Sequence, residues 1–353
     1  MNVVNARTKN VLNILIVLVI SFGFVAWQFR KVDFSAFVKS LRNINYWWLL
    51  VAFILMFLYW LFEAIVLHMA AKPANQKQHF RSSFRITMIG QFFNTITPMS
   101  TGGQPAQLVM LMKQGMDAGK ASSVLLIKFI IYQAMIVFNF LIVLIFGLHY
   151  LLNGVPQLKY LVFIGFLVHL AVITALLLIA KSTFLTKRIV HLLLIPARLF
   201  IKKERHEQLR FALDERITSF HQETNRIGAD KWLLVKACVM TSLQLWVFFA
   251  IPYFVLLSLH VGTIGFFVAM TYHAFIIMFA TVMPTPGGAG GAEYTFMLLF
   301  GALLVPAEAL AAMILWRIVT YYSCIIFGGA ALLISDETSK QLRSNFNDIK
   351  DDL

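Results

Sequence analysis

The chain has 353 residues, of which 59% are hydrophobic and 13% are charged, and its formal net charge is +14. This composition lies well outside the usage of soluble globular domains and predicts an integral membrane protein. The positive charge could suggest nucleic acid, but Lys and Arg lie mainly between the apolar segments, as in the positive-inside pattern of membrane proteins. We therefore expect no nucleic-acid partner. Cys238 and Cys324 lie in apolar segments without metal-ligand spacing, so neither a metal nor a cofactor is predicted.

Six apolar segments are long enough to cross a bilayer as helices, which takes about 20 residues. They cover residues 11–29, 46–70, 121–147, 160–180, 232–258 and 309–334. The first ends at Arg30 and Lys31 rather than at a small-residue cleavage site, so we expect it to stay in the protein as a helix. Basic residues before it and in the tail, residues 335–353, predict that both termini are cytoplasmic. Residues 30–45, which would then lie outside, are also basic and taken alone would favour the inside.

Two short breaks interrupt the remaining apolar sequence. Pro284 to Glu293 reads P-T-P-G-G-A-G-G-A-E, and it cannot form a regular helix because its prolines remove backbone donors and its glycines permit positive φ and close backbone approach. Thr97 to Gln107 reads T-P-M-S-T-G-G-Q-P-A-Q and repeats the proline and the glycine pair. The simpler alternative is that each break is an extramembrane turn. Interrupted segments in corresponding places of two halves favour a midplane binding site of a transporter.

The segments beside the first break, residues 84–97 and 104–112, are too short to cross about 30 Å of hydrocarbon, so they predict a hairpin that enters and leaves on the cytoplasmic side. Residues 263–283 and 293–304 predict a second hairpin, which enters from outside. Because residues 263–283 could cross the bilayer alone, two full spans remain an alternative there. We thus predict an all-α polytopic membrane protein with about six full spans and two re-entrant hairpins. Its single membrane domain, residues 1–353, contains an inverted-topology repeat of residues 46–147 and 232–334.

Residues 181–231 form the one sizeable polar segment between spans. They hold eleven Lys or Arg residues against six acids. Apolar residues among the basic ones predict a helix over residues 187–203 that lies on an anionic leaflet. Leu209, Leu213, Ile217 and Phe220 have helical spacing and predict a second helix, which continues to about Arg226. No catalytic constellation is predicted in this cytoplasmic segment.

The candidate intramembrane charges are Glu63, Lys128, Glu293 and Arg317. Each costs about 2.5–3.5 kcal/mol on insertion scales and therefore needs a partner or water. Lys128 and Arg317 each lie on the helix that follows a break, although either could also extend to the interface. Glu293 could balance Arg317 or recognise a proton or a cation. Glu63, like nearby His68, can equally be interpreted as an interfacial polar residue.

A cavity that contains broken-helix N-termini and one or two cations has a positive potential, which suits an anionic lipid headgroup. Uncharged Gln, Asn and Thr side chains beside the first break, Thr97 among them, can donate hydrogen bonds to such a headgroup. The predicted substrate-binding residues are Gln91, Asn94, Pro98, Thr101, Gly102, Gly103, Gln107, Lys128, Pro284, Gly287, Gly288, Gly290, Gly291, Glu293 and Arg317.

The motif P-T-P-G-G-A-G-G-A-E, the upstream N-T-I-T-P-M-S-T-G-G-Q-P and Trp316-Arg317 resemble the transmembrane flippase domain of lysylphosphatidylglycerol synthase/flippase proteins, the multiple peptide resistance factor family, and its stand-alone relatives. The resemblance covers nearly the whole chain. It implies a multi-pass protein of the bacterial plasma membrane that moves a lipid between leaflets. In the full-length relatives a soluble aminoacyl-transfer domain follows the membrane part. Here about 19 polar residues follow Ile334, so we carry over neither the synthase activity nor the lysyl-lipid substrate.

The favoured function is therefore a flippase or transporter for a phospholipid or another lipid with an anionic headgroup, which could be aminoacylated or glycosylated. It would work without ATP hydrolysis, because the chain has no G-x-x-x-x-G-K-[ST] motif. A membrane-embedded lipid transferase is the alternative from the enzyme class, but no catalytic residues are predicted. A scaffold for a partner lipid-modifying enzyme is the third alternative. A homo-oligomer is compatible with each.

Overall fold

The computed structural model describes residues 33–75, 78–154, 158–194, 203–281 and 283–334. Within these ranges the protein is all-α, and its one β-type pairing is an isolated bridge between the two breaks. This confirms the predicted all-α polytopic class. The predicted first span, residues 11–29, and the tail, residues 335–353, lie outside the described residues.

The first half begins with a short helix and ends with the helices of the polar segment. Its elements are α1 (Phe34–Arg42), α2 (Tyr46–Ala71), α3 (Phe80–Ile96), α4 (Gly103–Lys113), α5 (Ala118–Gly154), α6 (Leu158–Lys181), α7 (Thr183–Leu194) and α8 (Lys203–Ala229). Asp33 and Asn45 cap α1 and α2, because their side chains accept hydrogen bonds from the backbone amides of Ser35 and Trp47. The first break separates α3 from α4.

The second half contains α9 (Lys231–Ser258), α10 (Phe266–Ala280), α11 (Gly291–Phe300), α12 (Pro306–Arg317) and α13 (Ser323–Leu333). A π-helical turn, Ile318–Tyr322, joins α12 to α13. Pro306 stands at the start of α12, where its missing amide hydrogen costs no helical bond. The second break separates α10 from α11.

Among the described residues, four helical stretches are long and apolar enough to cross a membrane: Tyr46–Ala71, Ala118–Val143, Lys231–Ser258 and Pro306–Leu333. The end of α6 adds a fifth candidate if it and α7 count as one bent span. By contrast, α10 has 15 residues and α11 has 10. At 1.5 Å per residue they measure about 22 and 15 Å, so neither reaches across about 30 Å of hydrocarbon. These lengths favour a hairpin over two full spans.

One predicted loop is largely helical in the structure. The sequence predicts a loop from His149 to Gln157, but α5 continues to Gly154. The physical reason is local, since no proline or glycine interrupts the chain between Gly147 and Gly154, and Pro156 is the first proline that follows. With 37 residues, α5 is about 55 Å long and extends beyond the bilayer thickness.

The helices of the two halves pack against each other reciprocally. The long spans α2 and α9 pack together, α3 of the first hairpin packs against α13, and α10 of the second hairpin packs against α5. At the α3–α13 contact the backbones approach closely, because a Cβ on Gly328 would lie 2.6 Å from the carbonyl oxygen of Met88. In each half, the helix before the break packs against the long span that follows the hairpin of the other half. Two halves related by a twofold axis are expected to pack in this way, with both breaks at the centre.

Candidate functional site

The two breaks meet tip to tip. Pro98 and Pro286 form an antiparallel bridge, in which the Met99 amide donates to the Thr285 carbonyl over 3.3 Å and the Gly287 amide donates to the Thr97 carbonyl over 3.2 Å. Tyr321 reinforces the junction, since its hydroxyl donates to the Thr95 carbonyl over 3.1 Å. Irregular backbone within a membrane needs such partners, because hydrocarbon offers none. The breaks therefore satisfy each other's backbone groups.

The second break depends on glycine at two positions in particular. Gly287 and Gly288 have φ values of +55° and +69°, which L side chains rarely adopt. A Cβ on Gly287 would lie 2.5 Å from Cε2 of Tyr321, and one on Gly288 would lie 2.9 Å from the Ala280 carbonyl oxygen. The predicted positive φ is also present at Gly290, whereas Gly291 is the first residue of α11.

The first break uses its glycines differently. Its left-handed residues are Met99 and Ser100, with φ values of +52° and +53°, whereas Gly102 is in the α-region and Gly103 begins α4. Here the glycines allow close approach, because the Gly102 amide donates to Oγ1 of Thr97 over 2.8 Å and the Gly103 amide donates to Oδ1 of Asn94 over 2.9 Å. Oγ1 of Thr97 and Oδ1 of Asn94 are therefore occupied at the start of α4.

A buried polar network lies beside the first break. Nζ of Lys128 on α5 donates to Oε1 of Glu63 on α2 over 2.6 Å and to Oε1 of Gln107 on α4 over 3.1 Å. Gln91 on α3 donates to the other carboxylate oxygen, Oε2 of Glu63. All four side chains are buried. The network thus ties both helices of the first hairpin to α2 and α5.

A second buried ion pair lies beside the second break. Nη2 of Arg317 donates to Oε2 of Glu293 over 2.7 Å, and the same oxygen accepts from the Gly290 amide over 2.6 Å. The guanidinium carbon lies 4.8 Å from the ring centres of both Trp316 and Tyr321. These contacts combine a charge-assisted hydrogen bond with two cation–π interactions. The π-helical turn begins directly after Arg317, a feature often found at functional sites.

The two cations differ in how completely the protein satisfies them. Lys128 has acceptors in both Glu63 and Gln107. Arg317 has five N–H donors, but among the described residues only Glu293 accepts from it, and its buried Nε has no partner. An unsatisfied buried donor costs about 1–3 kcal/mol. Within the described part of the chain, Arg317 therefore keeps N–H donors without an acceptor, whereas Lys128 donates to side chains of the first half.

Lys128, its partner Glu63 and Arg317 line a cavity of about 540 Å³. Its polar wall comes mainly from α2, α3 and the start of the π-helical turn, while its apolar side chains come from α5, α6, α9 and α10. On that apolar side His169 lies between two polar side chains, with Nδ1 3.2 Å from Oε1 of Gln133 and Nε2 3.4 Å from Oγ1 of Thr281. The apolar wall consists of Phe129, Ile136, Val168, Val172, Phe248 and Ile277. The cavity is therefore amphipathic.

The predicted residues occupy three kinds of position. Those that line the cavity are Gln91, Asn94, Thr101, Lys128, Gly287 and Arg317. Gln107 and Glu293 hold the two cations, while the remaining prolines and glycines shape the breaks: Pro98, Gly102, Gly103, Pro284, Gly288, Gly290 and Gly291. Thr101 is exposed, and its hydroxyl donates to the Pro98 carbonyl.

The structure also changes the interpretation of Glu63 and Lys128. Both are buried inside the protein and paired with each other. The expected positive potential does not follow from the charged side chains, since the formal charges of the two pairs cancel. Sequence reasoning missed Tyr132, Trp316 and Tyr321 as cavity-lining residues. Only the position of Trp316 and Tyr321 beside Arg317 could have indicated a role.

The chain matches the family described as the lysylphosphatidylglycerol synthase TM region over residues 14–328. It belongs to that family. Two archaeal relatives span nearly the same length. A UPF0104 membrane protein of Archaeoglobus fulgidus is 26% identical over 343 residues, which cover 94% of this chain and 99% of the relative. A UPF0104 membrane protein of Methanocaldococcus jannaschii is 24% identical over 326 residues, which cover 90% of this chain and 94% of the relative.

Membership of the lysylphosphatidylglycerol synthase transmembrane family confirms the resemblance of the glycine motifs. It establishes a multi-pass membrane protein from a lipid-related family. The paired breaks, the two buried ion pairs and the amphipathic cavity are thus features of a family member, and they provide the basis for a more specific function.

Proposed function

We propose that this protein is a flippase or transporter that moves a lipid with an anionic headgroup between the leaflets of the plasma membrane. The observation that carries the proposal is Arg317, which lines an amphipathic cavity and whose five N–H donors have one acceptor, Glu293, among the described residues. A phosphate oxygen in the cavity would gain a charge-assisted hydrogen bond from an N–H group of this guanidinium that Glu293 does not use.

The amphipathic wall supports a lipid rather than a soluble anion. A soluble ion gains nothing from Phe129, Ile136 and Val172, whereas the first carbons of an acyl chain can lie against them. A volume of about 540 Å³ is within the usual range for small-molecule sites, about 300–1,000 Å³. It suits a headgroup whose tails remain in the surrounding bilayer.

The packing of the halves supports an inverted repeat that works by alternating access. In transporters built this way, the substrate lies near the midplane at the junction of broken helices, and one repeat moves against the other. The reciprocal contacts of α3 with α13 and of α10 with α5 match the packing of two such repeats. The bridge between Pro98 and Pro286 corresponds to the junction of the broken helices. On this proposal both termini are cytoplasmic. The assignment to a bacterium rests on the motif resemblance.

The proposal is tested by reconstituting the full chain into liposomes that contain fluorescent lipids in both leaflets. A membrane-impermeant reductant bleaches the outer leaflet, so flipping lipids lose more than half of their fluorescence. We expect flipping of lipids with a phosphate-containing headgroup and its loss in Arg317→Gln, with Lys236→Gln, an exposed cation on α9, as the control. Fluorescence that stops at half for every lipid, in protein shown to be folded, would refute the flippase.

A further inference from the structure

A sharp bend separates the last membrane helix of the first half from the polar segment. Gly165–Lys181 and Thr183–Leu192 meet at 103°. If α6 runs across the membrane, α7 must therefore lie nearly parallel to its surface. In this orientation one face of α7 contacts the protein, and the other face is exposed.

The inner face of α7 packs on α8. His191 lies 3.1 Å from Asp214, measured from Nε2 to Oδ1, and Lys187 lies 3.9 Å from the same oxygen. The outer face carries Phe184 and Leu192, which are 74% and 64% exposed. Their exposure is large for side chains of this size, and Ile189 beside them is also exposed.

Charge identifies what this outer face meets. Arg188 lies midway between Phe184 and Leu192, four residues from each, so all three share one side of the helix. Arg188 is exposed and has no ion-pair partner among the described residues. The acid that faces α7 is occupied, since Asp214 contacts both Lys187 and His191. Glu207 and Glu215 on α8 are exposed, but residues 181–231 hold eleven Lys or Arg residues against six acids, so the segment as a whole is positive.

We propose that α7 lies in the headgroup layer of an anionic leaflet, with Phe184 and Leu192 among the acyl chains and Arg188 at the lipid phosphates. Apolar residues with a basic residue between them are typical of helices that bind such a surface. The proposal does not depend on lipid transport, because it concerns a face outside the cavity.

The anchored helix is connected to the core. Ser219 on α8 donates to Oδ1 of Asp117, which precedes α5, over 2.9 Å, and Thr224 on α8 lies 2.8 Å from Ser123 on α5. Contact of α7 with the leaflet is therefore linked, through α8, to α5, the helix that carries Lys128.

The test uses the full chain with Cys238→Ala and Cys324→Ala, in nanodiscs. A single cysteine replaces Phe184, Leu192 or, as the control, exposed Gln222 on α8, and it carries an environment-sensitive fluorophore. We expect blue-shifted emission and quenching by spin-labelled lipid at positions 184 and 192, but quenching by aqueous iodide at position 222. In discs that contain phosphatidylglycerol, Arg188→Glu should weaken the lipid quenching. In discs of phosphatidylcholine alone it should not.

Two results would overturn the proposal. If iodide quenches positions 184 and 192 as strongly as position 222, the face is open to water and available to a soluble partner instead. If lipid quenching is the same with and without phosphatidylglycerol, and Arg188→Glu changes neither, the face meets lipid without recognising its charge. Because two positions on α7 report independently, one poorly folded variant does not obscure the outcome.

Discussion

At the residue scale, the two buried cations occupy corresponding positions in the two halves but have different surroundings. Lys128 and Arg317 both follow a break, and each is paired with a carboxylate. Glutamine amides complete the environment of Lys128, whereas aromatic rings enclose Arg317 and leave Nε unsatisfied. Breaking a buried pair by removing one partner costs about 3–5 kcal/mol, because it leaves an uncompensated charge.

The pair of Glu293 and Arg317 should show strong coupling. We expect Glu293→Gln and Arg317→Gln each to lower the free energy of unfolding by about 3–5 kcal/mol, and the double variant to recover part of this loss. The double variant should remain inactive, because the donor for the phosphate is gone. A double-mutant cycle of thermal stability, with flipping measured on all four proteins, tests both statements. Additive stability losses or an active double variant would contradict them.

Replacing Arg317 by Lys separates charge from geometry. Lysine keeps the positive charge opposite Glu293 but lacks the planar guanidinium that stacks on Trp316 and Tyr321. We expect Arg317→Lys to be more stable than Arg317→Gln and still to flip lipid poorly. Lys128→Arg provides the comparison. The guanidinium is bulkier than the ammonium group that Glu63 and Gln107 enclose, so we expect this variant to lose stability. Wild-type flipping rates in Arg317→Lys would mean that charge alone is sufficient.

At the element scale, the site depends on two short breaks whose backbones hydrogen-bond to each other. Each tip exposes amides and carbonyls that its own helices cannot satisfy, and the bridge between Pro98 and Pro286 supplies the missing partners. The Tyr321 ring packs on Gly287 and on Arg317, so it links the junction to the second ion pair. A substitution at Gly287 should therefore displace the Tyr321 ring and alter the surroundings of Arg317.

Gly287→Ala tests this link. Its φ of +55° strains an alanine, which costs about 1–2 kcal/mol, and the added methyl group collides with Tyr321 and with the Thr95 carbonyl. We expect reduced stability and a large loss of flipping. Gly115→Ala is the matched control, because Gly115 has a φ of +84° but nothing within 4 Å of its Cβ position. If the two variants lose stability and flipping equally, backbone strain accounts for the effect and the contact with Tyr321 does not.

At the scale of the whole molecule, the reciprocal packing and the charge pattern predict opposite orientations of the two hairpins. The base of the first includes Lys113, and the base of the second includes Thr263, both of which are exposed. Single cysteines at these positions in a cysteine-free protein should react with an impermeant maleimide from opposite sides of oriented vesicles. Labelling of both from one side would show that the halves are parallel, and the inverted repeat would be wrong.

Much of the architecture could be predicted from the sequence because it depends on local properties. Apolar length predicted α2, α9 and the α12–α13 span to within a few residues, and the helix-breaking chemistry of proline and glycine located both breaks. The same properties did not predict the end of α5. This helix continues to Gly154, because no proline or glycine lies between Gly147, where the apolar segment ends, and Gly154. Local properties also gave no indication that Met99 and Ser100 adopt positive φ in the first break.

Sequence alone was sufficient to place the protein in a membrane, to locate a break at corresponding places in its two halves, and to identify Glu63, Lys128, Glu293 and Arg317 as candidate intramembrane charges. The three-dimensional packing was needed to show that Glu63 pairs with Lys128, across 65 positions of sequence, and that the Tyr321 hydroxyl reaches the carbonyls of Thr95, beside the first break, and Pro286, in the second. The reason is that burial of a charge demands a partner but does not specify which one. The partner depends on which helix faces pack together, and that packing is a property of the whole chain.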